Sequence, residues 1–291
     1  MKTFSRFLTI GVGGLCLFSI GNAQDFGTKQ AIDSSDFYVF TEAGGTYVPS
    51  ININDFSRSS SFSINRTISG IVVDVSGSGT TQFSDYIIQP SIGYNFILGL
   101  GYQINDAIGL ELEVGYSQTT LEQASYSNTG SYSLNGTIDG NNVDSLTLSE
   151  NVTLNGNASL TQIPILIGVN IQNRTDKFQP MASLGIGVCP TFISGNISSI
   201  SGSSSGSATG PGVFYSLSAS GTFSQNEIIS SATAYPFAFK LKAGFDYAFS
   251  PQASLGLRAW AMGLVNSNFG DELQSDLYGA IGLNAAFKIR F

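Results

Sequence analysis

Histidine is absent from this 291-residue sequence, cysteine occurs twice and tryptophan once. Without imidazole no Ser-His, Cys-His or His-assisted Asp mechanism can be assembled. Zinc sites built on His disappear with it, and the one Cys left after the signal peptide described below is removed cannot replace them. Basic residues are also few, 12 Lys and Arg against 20 Asp and Glu, for a formal net charge of −8. Such a surface has no use for nucleic acid or other polyanions. Charged residues of both signs make up only 11%. After the first twenty or so residues no uninterrupted apolar run reaches the ~18 needed for a membrane helix, which excludes a helical membrane protein.

What is present begins with "MKTFSRFLTIGVGGLCLFSIGNAQ". Lys2 and Arg6 precede an apolar stretch from Phe7 to Ile20, followed by small residues at Gly21 and Ala23, the pattern of a secretory signal peptide over 1–23. The stretch falls short of the ~20 residues that span a bilayer. Leu15 ahead of Cys16 speaks against a lipoprotein signal. Cleavage near Ala23 would remove Lys2 and Arg6, taking the formal charge from −8 to −10. It would also remove Cys16, leaving Cys189 alone and no intrachain disulfide. Residues 24–35 are then expected to be a short periplasmic segment.

The rest of the chain is rich in Gly, Ser and Thr, and several segments alternate with a period of two. In "IGLELEVGYS", Ile108, Leu110, Leu112, Val114 and Tyr116 share one face while Glu111 and Glu113 share the other. In "FAFKLKAGFDYAF" the aromatic and aliphatic set from Phe237 to Phe249 opposes Lys240, Lys242 and Asp246. The spacing predicts strands near 36–49, 91–104, 107–120, 159–172, 178–193, 235–250, 253–266 and 277–291. Short connections at 104–106, 173–177 and 250–253 alternate with longer ones at 50–90, 121–158, 194–234 and 267–276. The expected fold is therefore all-β: an eight-stranded, antiparallel, up-and-down transmembrane β-barrel over 36–291, with short periplasmic turns and four outer loops. Closure follows because hydrocarbon offers no partner to an unpaired backbone group. A soluble lipocalin-like barrel would need the opposite arrangement, apolar within and polar without. Weak alternation in "IVVDV", "SLTLSENVTL" and "VFYSLSASGTF" suggests that the long loops extend the hairpins beyond the membrane.

If the apolar face meets lipid, the other face fills an interior only wide enough for side chains. Parity places Glu42, Glu111, Glu113 and Asp246 there, against Lys240, Lys242, Arg258, Lys288 and Arg290. A cross-barrel ion network is the expectation, with Asp246, Lys288 and Arg290 lying nearest the periplasm. Parity with Arg258 turns Trp260 inward, whereas its preference for membrane interfaces and a possible bulge turn it outward, and both directions stay open. The first strand is ambiguous too, because Tyr38 and Phe40 share the face of Glu42.

No catalytic, cofactor-binding or metal-binding residues emerge. Cys189 lies by parity beside inward Ser183, Gly185 and Gly187 and has no base to activate it. "DGNNVDSLTLSE" has Asp139, Asn141 and Glu150 at spacings reminiscent of a calcium loop, but Val143 and Asp144 stand where a ligand and Gly are needed. At the other end, Phe287, Ile289 and Phe291 form the apolar face of the last strand. That ending resembles the signal read by bacterial barrel-assembly machinery.

"FYVFTEAGGTYVPS", "GLELEVGYS", "FKLKAGFDYAFSPQASLGLRAW" and "GAIGLNAAFKIRF" resemble porin-like outer-membrane surface antigens of rickettsia-type bacteria, and more broadly the eight-stranded outer-membrane barrel superfamily. The resemblance implies location in a bacterial outer membrane and partners among its lipids, the assembly machinery and host-cell surface molecules. It also implies a non-enzymatic role in adhesion, antigenic display or envelope integrity. The alternative it implies is a narrow porin passing small solutes.

Overall fold

The computed structural model describes residues 37–68, 70–105, 107–174, 176–268 and 274–291. The expected signal peptide over 1–23 and the segment 24–35 lie outside the described residues, as does 269–273 in the fourth connection. All regular structure among the described residues is β. The strands are β1 (Phe37–Tyr47), β2 (Ile51–Ile53), β3 (Phe56–Ile68), β4 (Ile71–Gln103), β5 (Ile108–Ile138), β6 (Asn141–Asn142) and β7 (Ser145–Gln162). They continue with β8 (Ile165–Gln172), β9 (Phe178–Val188), β10 (Thr191–Gly210), β11 (Val213–Ala234), β12 (Phe237–Ala248), β13 (Ala253–Asn268) and β14 (Gln274–Arg290). They form one antiparallel sheet in the order β11-β10-β7-β5-β8-β9-β12-β13-β14-β1-β4-β2, with β3 also on β4, β6 on β5, and β4 on β5.

The described residues form fourteen strand segments where the sequence predicts eight strands, for two physical reasons. The first is that the long connections are themselves strand. β4 runs for 33 residues and β5 for 31, because alternation continues well past the apolar segments. The second is proline, which lacks the N–H that a ladder needs. Pro164 separates β7 from β8, Pro190 separates β9 from β10, and Pro236 separates β11 from β12. Their carbonyls still accept, from Gly115 N at 2.8 Å, Ile163 N at 2.8 Å and Cys189 N at 3.0 Å. The three prolines thus form a row across neighbouring strands, and Pro49 makes a similar break between β1 and β2.

The row divides the sheet into two regions. Below it, β1 lies between β14, with Tyr38 opposite Arg290, and β4, with Tyr38 opposite Gly101. The three short turns all sit at the far end. In the β4–β5 turn Asn105 Oδ1 accepts from Ala107 N at 2.9 Å and Ile108 N at 2.8 Å. In the β12–β13 turn Ser250 Oγ accepts from Ala253 N at 2.9 Å. The two chain ends meet at this level, where Phe291 N donates to Phe37 O at 3.1 Å.

In this region one face of every strand is apolar and exposed, as at Leu110, Leu112, Val114, Ile167, Leu184, Leu257 and Leu283. Exposed aromatics border that band, with Phe37, Tyr102, Phe178, Tyr247 and Phe249 near the turns and Tyr47, Tyr94, Tyr116 and Tyr235 near the prolines. From Phe37 to Tyr47, about ten residue steps of ~3.4 Å tilted by ~40° rise roughly 26 Å, close to the ~25 Å apolar band of outer-membrane barrels.

Above the row, β3, the far halves of β4 and β5, β7, β10 and β11 form a second region of six long strands, with the two-residue β6 added to the end of β5. Among the described residues β13 and β14 do not pair with any of these six. At its base Phe56 stacks on Phe83 with ring centroids 4.7 Å apart, and Tyr86 on Tyr126 at 5.3 Å. Nearer the tip Val75, Leu134, Val143 and Ala208 are buried, with Phe62, Tyr132 and Tyr215 against them.

Candidate functional site, an enclosed ion network

Side chains on the face opposite the apolar band meet across the interior, between strands that are not sheet neighbours. Glu42 comes from β1, Glu111 and Glu113 from β5, Lys240, Lys242 and Asp246 from β12, Arg258 from β13, and Lys288 and Arg290 from β14. All nine are buried. Each follows from strand parity, since residues two apart point the same way.

Lys242 is the hub, its Nζ lying 3.1 Å from Glu42 Oε1, 3.6 Å from Glu111 Oε2 and 2.7 Å from Glu113 Oε2. Lys240 pairs with Glu113. Arg258 bridges two acids, with Nη1 2.5 Å from Glu42 Oε1 and Nη2 3.1 Å from Asp246 Oδ1. Lys288 Nζ sits 2.9 Å from Asp246 Oδ2. Arg290 instead donates to Gln179 Oε1 at 2.8 Å, and no ion pair joins it to an acid among the described residues. The structure therefore brings eight of the nine charged residues into ion pairs.

Neutral partners complete the acids. Asn284 Nδ2 donates to Glu42 Oε2 at 3.1 Å, Tyr38 Oη to Glu111 Oε1 at 3.0 Å, and Gln172 Nε2 to Asp246 Oδ2 at 2.8 Å. Aromatic faces lie against the cations: Phe40 is 4.8 Å from Lys242 Nζ and 5.3 Å from Arg258 Cζ, and Tyr38 is 4.7 Å from Lys288 Nζ. Such placement favours a desolvated cation. Two glycines of β4 make room for these rings, since a Cβ on Gly99 would come 2.1 Å from the Phe40 ring and one on Gly101 1.9 Å from Tyr38. Trp260 points inward, donating from Nε1 to Asn284 Oδ1 at 3.1 Å with its ring 5.1 Å from Lys240 Nζ.

Asn284, Gln172, Gln179, Tyr38 and Phe40 were not legible as members of the network. Parity carries each of them to the inner face, but nothing in composition marks a neutral residue as a partner to charge. Beyond Trp260, towards the prolines, the interior turns apolar, with Val48, Ile51, Ile53, Leu160, Met262 and Leu264 buried together. Two gaps in the interior hold about 10 Å³ each, one of them lined by Glu111, Glu113, Lys240 and Lys242. That is about the room one water needs.

Among the described residues no group of three or more His, Cys, Asp and Glu is arranged to hold a metal ion. Cys189 is wholly buried in the apolar cluster. Phe287, Ile289 and Phe291 all lie on the outward, exposed face.

The model for the outer membrane protein beta-barrel domain matches residues 55–271. The chain belongs to the outer membrane β-barrel family. Membership accounts for the apolar outer band and the enclosed polar face and assigns the chain to the outer membrane. Among solved structures, Neisserial surface protein A is 12% identical, with a TM-score of 0.34 over 89% of this chain and 99% of that one. OprG from Pseudomonas aeruginosa is 12% identical with a TM-score of 0.33 over 89% and 99%. The outer-membrane protease OmpT from Escherichia coli is 10% identical with a TM-score of 0.34 over 93% and 100%. Likenesses this distant carry no argument about role. No curated protein matches the chain.

Proposed function

We propose that the protein is a closed outer-membrane barrel, without enzymatic activity, that carries a β-structured surface region for adhesion, antigenic display or envelope integrity. In this reading the eight strands linked β1-β4-β5-β8-β9-β12-β13-β14, and from β14 back to β1, cross the membrane. The observation that carries it is the filling of the interior. Arg258 is 0% and Lys288 1% exposed, which a water-filled pore at their level would not permit. The narrow-porin alternative needs that water, so the closed reading is favoured. The absence of histidine supports a non-enzymatic role, and the four strand motifs support the finer kinship with rickettsia-type surface antigens. The outward Phe287, Ile289 and Phe291 suit recognition by the assembly machinery during insertion.

Orientation tests the reading. Outer-membrane barrels keep short turns in the periplasm and long connections outside. A cysteine placed at Ser131 on β5 should react with a membrane-impermeant maleimide on intact cells, while one at Gln252 in the β12–β13 turn should react only after permeabilisation. Reversed reactivity would refute the surface role.

A further inference from the structure

The six-stranded region above the prolines ends in two free edges. Among the described residues β3 pairs only with β4, and β11 only with β10. Between the lines of these two strands stand β13 and β14, whose last described residues are Asn268 and Gln274, with Gln274 O accepting from Asn54 N at 2.7 Å just before β3; among the described residues neither strand pairs with β3 or β11, which leaves an opening between those two edges. The sheet curls with its apolar face inward: Tyr215 Oη on β11 donates to Ile138 O on β5 at 3.0 Å, reaching past two intervening strands. The opposite, convex face is made almost wholly of Ser, Thr, Asn and Gln. It carries Ser57, Ser59, Ser61 and Ser63 on β3, Ser76, Ser78 and Thr80 on β4, and Ser216, Ser218 and Ser220 on β11, all of them exposed.

Long uncovered edges invite pairing, and proteins usually guard them with Pro, Lys or brevity. β3 has 13 residues and β11 has 22, and neither contains Pro or Lys. β3 carries Arg58 and Arg66 and no acid, so pairing it with a second β3 would bring like charges together, which pairing it with β11 avoids. β3 runs away from the short turns and β11 runs back towards them. The membrane holds every copy upright, so β3 of one copy and β11 of its neighbour meet antiparallel, whereas two β3 strands would meet parallel.

We infer that two copies close each other's opening, β3 of each pairing with β11 of the other about a twofold axis along the membrane normal. One isologous contact then satisfies both edges and leaves none for a third copy. The pairing continues both faces of the sheet, setting the serines of β3 beside those of β11 on the convex side and Phe62 and Ile64 on the side of Tyr215. The occupant of the opening is thus a second copy of this chain. The inference rests on the proposed reading that this region stands outside the membrane.

The test mixes two proteins that both carry Cys16→Ser, one with Ser61→Cys and the other with Ser218→Cys and a different tag, in liposomes of outer-membrane lipid, and treats them with a short bis-maleimide. Heat-dependent gel mobility verifies that each is folded, and Cys189 is buried in both. A heterodimer carrying both tags is expected, with background cross-linking in either protein alone and dimers as the upper limit in the double variant. Absence of the heterodimer, a link confined to one chain, or a ladder beyond dimers would overturn the inference. Maleimide labelling at Ser131→Cys separates the two failures. A labelled protein that gives no heterodimer sinks the dimer alone, and an unlabelled one sinks the surface reading first.

Discussion

Arg258 joins Glu42 of β1 to Asp246 of β12 from its own place on β13, so its loss would strand two acids at once. A buried ion pair gives little net stability over an apolar replacement of both partners, but removing one partner leaves an uncompensated charge costing about 3–5 kcal/mol. Arg258→Leu is therefore expected to lower the thermal midpoint of the folded form in detergent, read by loss of its fast gel mobility. Arg58→Leu, on exposed β3, should stay within about 0.5 kcal/mol of the parent. Equal midpoints for the two variants would show that the interior pairs are individually solvated. The charged members of this network were legible because a charge on the face opposite an apolar stripe has few alternatives. Its neutral members were not, because Asn284 or Gln172 reads equally well as a surface residue. Trp260 shows the limit of a residue's own preference: parity with Arg258 governs its direction, and Asn284 supplies the hydrogen bond that its indole requires.

At the level of strands, the apolar alternation and the three short turns were legible, and the boundaries between strands were not. "IGLELEVGYS" announces the lower part of β5, but the same strand runs on to Ile138 through Ser, Thr, Asn and Gly, which composition reads as loop. Strand pairing satisfies those backbones whatever the side chains are, so polarity gives a poor guide to where a ladder stops. Proline is the better guide, and Pro164, Pro190 and Pro236 mark the change from the apolar band to the second region of the sheet. The band itself can be probed through Leu112, 48% exposed on the outward face of β5. Leu112→Arg should cost about 2–4 kcal/mol of folding in lipid if it lies near the midplane. The exposed Thr129→Arg, on the same strand beyond the prolines, should cost far less. Similar refolding yields for both would place the band elsewhere.

The whole molecule is a barrel of the outer-membrane family with two kinds of filling stacked along its interior. Near the short turns the filling is ionic, with acids and bases from five strands neutralising one another. Towards the prolines it becomes apolar, through Val48, Ile51, Leu160 and Leu264. On the proposed closed reading a solute would have to break the first layer and displace the second, which leaves function to the region beyond the prolines. Its convex face offers hydroxyl and amide groups with almost no charge, and its two open edges offer backbone. The most direct measurement of the closed interior is single-channel conductance of the refolded protein in a planar bilayer. A filled interior predicts silence from protein shown to be folded and inserted. Steady, discrete conductance steps would contradict it and recast the ion network as the lining of a pore.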